Sequence, residues 1–196
     1  MFLDRLTFRK KAFGYYLLGS FIIIVFNQLG QIPLLFSIPS DIIIEPDSNP
    51  MDILKSIPSN LRLFLILLAS LITVPGIWLV VVKLHELSFK SIVTKRKKVD
   101  YNRIIFSFLL WGLIVTSFVI IGYFAAPENY EFNFKLKEFL ILATIAILLI
   151  PVQTTVEELV FRGYLMQGFG GLFNSRLLAL FLTSIIFGGL HLINPE

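Results

Sequence analysis

Residues 104–126 read IIFSFLLWGLIVTSFVIIGYFAA, a stretch without an Asp, Glu, Lys or Arg. At about 1.5 Å per residue, a helix of that length crosses a hydrocarbon core of about 30 Å with little to spare. Backbone in lipid must satisfy its N–H and C=O groups internally, so such a stretch is expected as helix and not as open strand. Working outward, further apolar runs lie at 12–36, 61–82, 139–156 and 177–193, the last being the shortest. The expected fold class is therefore all-α, a polytopic transmembrane helical bundle of about five membrane-spanning helices. The first run is longer than the 7–15 residues of a signal peptide's apolar region and lacks a small-x-small cleavage site, so it is expected to stay as an anchor.

Composition agrees. Of 196 residues, 56% are apolar and only 15% charged, against roughly 25% charged in soluble domains, and mean hydropathy is +0.82. A water-soluble globule, a disordered chain, collagen and a coiled coil are all excluded on these grounds. The absence of Cys removes disulfides, Cys-ligated zinc and thiol nucleophiles, leaving Ser, Thr, Asp, Glu and His for any hydrolytic chemistry. The pI near 9.4 comes from basic residues placed between apolar runs, which points to membrane orientation and away from a nucleic-acid partner.

Loop charges alternate. Segment 83–103 carries seven basic residues against Glu86 and Asp100, whereas 37–60 carries Lys55 against Asp41, Glu45, Asp47 and Asp52. With Arg5, Arg9, Lys10 and Lys11 ahead of the first run, the positive-inside tendency places the N-terminus and the 83–103 loop in the cytoplasm and the 37–60 loop outside. The cluster Lys95-Arg96-Lys97-Lys98 is then a topology determinant that touches anionic lipid headgroups. Pro39, Pro46, Pro50 and Pro58 make the outer loop irregular or interfacial, and Pro75 and Pro151 are expected to kink or locally break their helices. His85, beside the basic loop, reads as an interfacial histidine.

Ionisable residues at membrane depth are costly and so carry information. They converge on Glu157, Glu158 and Arg162 at the end of the fourth run, with His191 one run later. At about 100° per residue, Glu158 and Arg162 share a face and are expected to pair, with Pro151 and Thr155 on the same stripe. Gln153, Glu157 and Tyr164 fall on another stripe. Glu157 is thus expected to lack a partner on its own helix and to face His191 across a gap. A desolvated carboxylate there could act as a general base for water. Taken alone, these residues fit interhelical glue, a proton or ion pathway, and a hydrolytic site equally well.

The pattern resembles the CPBP (CAAX protease and bacteriocin-processing, Abi) family of intramembrane proteases, which includes the type II CAAX prenyl proteases. Its motif Glu-Glu-x-x-x-Arg is matched by Glu157, Glu158 and Arg162, extended by Phe161-Arg162-Gly163-Tyr164-Leu165, and its motif Phe-x-x-x-His by Phe187 and His191. The resemblance divides the chain into N-terminal transmembrane helices and loops (1–138) and a partial protease-like core (139–196). It implies an endopeptidase of a bacterial plasma membrane, cutting a hydrophobic or lipidated peptide. Glu157 would activate water, His191 would position it or stabilise the oxyanion, and Glu158, Arg162 and Phe187 would brace the site. Glu157 and His191 are also the implied candidates for a metal, zinc being the ion to consider. The family's third motif, a His followed four residues later by Asn or Asp, has no match after His191 in this sequence. A fragment, or a truncated relative that binds without cleaving, is the corresponding expectation. Two rivals stand beside the enzyme: a non-catalytic immunity or scaffold protein holding a hydrophobic peptide, and a small proton or ion conduit.

Overall fold

The computed structural model describes residues 12–40, 50–93 and 100–193. Among them the order is α1 (Ala12–Leu35), α2 (Pro50–Lys55), α3 (Ser59–Leu79), a π-helical segment (Val80–Leu84), α4 (Lys90–Val93), α5 (Tyr101–Ala125), a 3-10 turn (Pro127–Asn129), α6 (Leu136–Glu158), a second π-helical segment (Leu159–Leu165), α7 (Met166–Phe173) and α8 (Arg176–Ile193). The all-helical membrane bundle is as expected, with one change of count. Among the described residues, four helical stretches are long and apolar enough to cross a membrane: Phe13–Leu35, Ser59–Leu84, Tyr101–Ala125 and Leu136–Phe173. The fifth run forms a shorter apolar helix, and the fourth, expected to stop at Val156, runs on as one helical rod to Phe173. The reason is local: Glu157, Glu158 and Arg162 are good helix formers, so their charge does not break the helix.

The core lies where α1, α3 and the α6 rod meet. Ile23, Ile77, Val80, Val81, Val156 and Leu159 are buried there with Tyr16 and Tyr164. Lipid gives apolar side chains no reason to leave it, so close backbone approach and polar bonds must hold the helices together. Both are present. A Cβ at position 30 would sit 2.5 Å from Ala69 Cα, and one at position 76 would run into the Phe26 ring. Asn27 donates from Nδ2 to Thr73 Oγ1 at 3.2 Å, Gln31 donates to Asn27 Oδ1 at 3.0 Å, and buried Thr73 donates to Ala69 C=O at 2.7 Å.

Asn60 Nδ2 reaches the Glu138 carbonyl at 3.2 Å, which sets the starts of α3 and α6 at one end of the bundle. Tyr16, His85 and Tyr164 meet at the other end. The starts of α3 and α6 therefore lie opposite the start of α1 and the end of the first π-helical segment. The cluster Lys95-Arg96-Lys97-Lys98, the basic N-terminal tail and residues 41–49 of the acidic loop lie outside the described residues. The helices continue through Pro75 and Pro151 without interruption. At Pro151 the hydroxyl of Thr155 donates to the proline carbonyl at 2.6 Å. No residue of α5 is buried.

Candidate active site

Glu157 and Glu158 close α6, and the next turn is a π-helix in which Met166 N–H bonds to the Phe161 carbonyl five residues back. Such a wide turn holds an extra residue and shifts the later residues around the axis, and π turns recur at functional sites. Here it divides the motif between two surfaces. Glu158 and Arg162 pair as expected, Nη1 to Oε2 at 3.0 Å, with both side chains more than half exposed. Tyr164, expected on the stripe of Glu157, instead turns into the core, where it is 3% exposed.

Antiparallel α8 folds back on the rod through a tight turn at Asn174, whose φ of 50° is left-handed and suits Asn. Between rod and α8 lies a cavity of about 120 Å³ lined by Glu157, Glu158, Phe161, Arg162, Leu180, Thr183, Ser184, Phe187 and Gly188. One water needs about 10–15 Å³ of such space, so the cavity is large enough for several. The Phe161 and Phe187 rings meet edge to face at 5.1 Å and shut one wall.

The expectation that Glu157 lacks a partner on its own helix is corrected. Gln153 Nε2 donates to Glu157 Oε1 at 3.1 Å, an i,i+4 contact along the stripe the two share. Its other carboxylate oxygen has no hydrogen-bond partner among the described residues and stays available. His191 does not bond to Glu157. Its Nδ1 lies 2.9 Å from the Phe187 carbonyl, and its ring packs at 4.3 Å from the Phe187 ring. A carbonyl only accepts, so Nδ1 carries the hydrogen, the tautomer in which Nε2 is the acceptor. His191 is exposed and sits about 6 Å, one turn, beyond Phe187 along α8.

No three His, Cys, Asp or Glu side chains are grouped to share a metal ion among the described residues. Leu180, Thr183 and Ser184 line the cavity although neither motif contains them. Their signal is present in the sequence: 180, 184, 187 and 191 recur at helical spacing and so share a face with the motif residues.

A larger cavity of about 640 Å³ lies on the other side of the rod, between Ile92 and Val93 of α4, Ile104 of α5, and Thr154, Thr155, Glu158 and Arg162. The Glu158–Arg162 pair borders both spaces.

Residues 136–196 match the family model described as Type II CAAX prenyl endopeptidase Rce1-like, so the resemblance implied by the two motifs holds over that segment. The chain is 33% identical over 171 residues to the uncharacterized protein YyaK of Bacillus subtilis (strain 168), covering 86% of this chain and 57% of that relative. It thus spans little more than half of the relative's length. No solved structure matches the chain.

Proposed function

We propose that the chain is an intramembrane endopeptidase, CAAX prenyl protease-like, that hydrolyses a peptide bond of a membrane-associated or lipidated substrate with a glutamate-activated water. One observation carries the reading. Half-buried Glu157 is held on one oxygen by Gln153 and lines, with the other available, a cavity roomy enough for water. The family match over the same residues supports it.

On this reading Glu157 takes a proton from water, and the resulting hydroxide attacks the scissile carbonyl carbon. His191 offers Nε2 as acceptor of a hydrogen bond from the O–H that the hydroxide keeps, a role its tautomer favours over oxyanion stabilisation, which needs a donor. Collapse of the tetrahedral adduct breaks the C–N bond, and Glu157 returns its proton to the leaving amine. Glu158 and Arg162 hold one another at the cavity wall. A catalytic zinc asks for about three protein ligands. Glu158 is already engaged by Arg162, and the described residues do not assemble such a set. The protein is inserted with its N-terminus in the cytoplasm, and reporter fusions at Lys97 and Asp47 should read inside and outside respectively.

The test is cleavage of a fluorogenic membrane-anchored peptide by the purified protein, with and without chelator. Glu157→Gln should abolish turnover and leave insertion intact. Undiminished cleavage by that variant would overturn the role of Glu157, and loss on chelation that zinc restores would assign the reaction to a metal-assisted water. The separation of His191 from Glu157 favours a second reading, a non-catalytic immunity or scaffold protein that holds a hydrophobic peptide. It is selected if wild-type protein binds the reporter without cutting it.

A further inference from the structure

Both π-helical segments end at one place. The first runs into His85, whose N–H bonds to the Val80 carbonyl at 3.0 Å across the wide turn. The second carries Tyr164, and His85 Nε2 lies 2.9 Å from its hydroxyl. The same hydroxyl approaches the carbonyls of Tyr15 and Tyr16 on α1 at 3.3 Å each. The Tyr16 ring packs on both partners, at 4.8 Å from His85 and 4.9 Å from Tyr164. Gly19 leaves room for the phenol: a Cβ there would collide with Tyr164 Oη. Three spans are thereby tied through one hydroxyl two residues after Arg162.

A wide turn is a minority alternative to the α-helix, in which each N–H would bond four residues back. Reverting to it would rotate the rod beyond Glu158 by about one residue, or about 100°. Tyr164 would then leave its buried site, and Arg162 would turn relative to the cavity it lines. Reversion strips the hydroxyl of its partners, and a polar group buried without a partner is strongly disfavoured.

We infer that His85 is a positioning residue: through its bond to Tyr164 it sets the register of the π segment Leu159–Leu165, and with it the direction in which Arg162 faces the cavity. The catalytic consequence rests on the peptidase reading, whereas the register itself does not.

The test uses the full chain, which has no native Cys, so an introduced thiol reports without background. Leu159 is 8% exposed, and alkylation of Leu159→Cys by a small membrane-permeant maleimide should be slow in the parent. Adding His85→Phe, which keeps a ring and removes the bond, should raise the labelling rate about tenfold, and Tyr164→Phe should do the same. His85→Gln, whose Nε2 can replace that of the ring, should restore the parental rate. Tyr16→Phe, which keeps the ring packing, should leave it unchanged. Should His85→Phe fail to accumulate, Gly19→Ala perturbs the same hydroxyl from α1 and should raise labelling likewise. Parental labelling in His85→Phe, or equal loss in His85→Gln and His85→Phe, overturns the inference. For peptide cleavage, His85→Phe should lower kcat more than it raises KM, with no further loss on adding Tyr164→Phe. If no variant or parent cleaves while labelling behaves as stated, the peptidase reading fails and the positioning role stands.

Discussion

Gly30 of α1 and Ala69 of α3 are in backbone contact, so close that a side chain at 30 has nowhere to go. Gly30→Ala should therefore destabilise the bundle by about 1–3 kcal/mol, the usual cost of overpacking. Gly14→Ala, with nothing within 4 Å of its Cβ, should be neutral or slightly stabilising, since Ala is the better helix former. Thermal aggregation midpoints in detergent compare the two, and equal shifts would refute the contact's importance.

Thr73→Val keeps the shape of a fully buried side chain and removes the acceptor of Asn27. Polar bonds between membrane helices are worth about 0.6–1.7 kcal/mol, and a loss of that size should appear in reversible unfolding. Serine at the same position should recover most of it.

The Glu158–Arg162 pair, 54% and 69% exposed on its two side chains, should couple weakly. In a double-mutant cycle with alanine, the interaction should be below about 1 kcal/mol. Coupling several times larger would show that the pair is shielded from water in the membrane.

Ser184→Trp fills the space opposite Glu157 from a position whose side chain is exposed. Cleavage should fall at least about tenfold, equivalent to about 1.4 kcal/mol in the barrier, with the melting midpoint little changed. Unaltered kcat/KM would mean that peptide does not enter by this cavity.

Burial holds the His85 imidazole below its ordinary value of 6.5, because the charged ring would be desolvated among Tyr15 and Tyr16 of α1 and Tyr164 of the rod. The unfolded chain binds the proton more readily, so stability rises with pH across this window. The contribution is whole above pH 6.5 and is lost as pH falls through the lowered native value. Melting curves between about pH 7.5 and 5 should show that loss, and His85→Gln should flatten it.

The spans are readable in the sequence because lipid imposes one requirement, a long uncharged helix, that 104–126 meets on its face. The pairing of Glu158 with Arg162 is readable too, since four residues on one helix suffice for that. Tyr164 is not, because extrapolating a 100° step through Glu158 assumes an α-helix where the chain takes a π turn, and that choice is made by Tyr16 and His85 from other spans. His85 reads as interfacial for the same reason. Its partners lie 69 and 79 positions away, beyond any periodicity. Glu157 is a different case: Gln153 shares its stripe, but a neutral amide is a partner that charge alone does not reveal.

The rod that begins at Leu136 has a further meaning for traffic along the bilayer. Glu157 lies 21 residues from its start, about 32 Å at helical rise, close to the thickness of the hydrocarbon. With Leu136 at one face of the hydrocarbon, the cavity would open at the boundary of the opposite leaflet. A ligand anchored in that leaflet would search for it by lateral diffusion in two dimensions, while the same peptide inserted from the other leaflet would have to flip before meeting it.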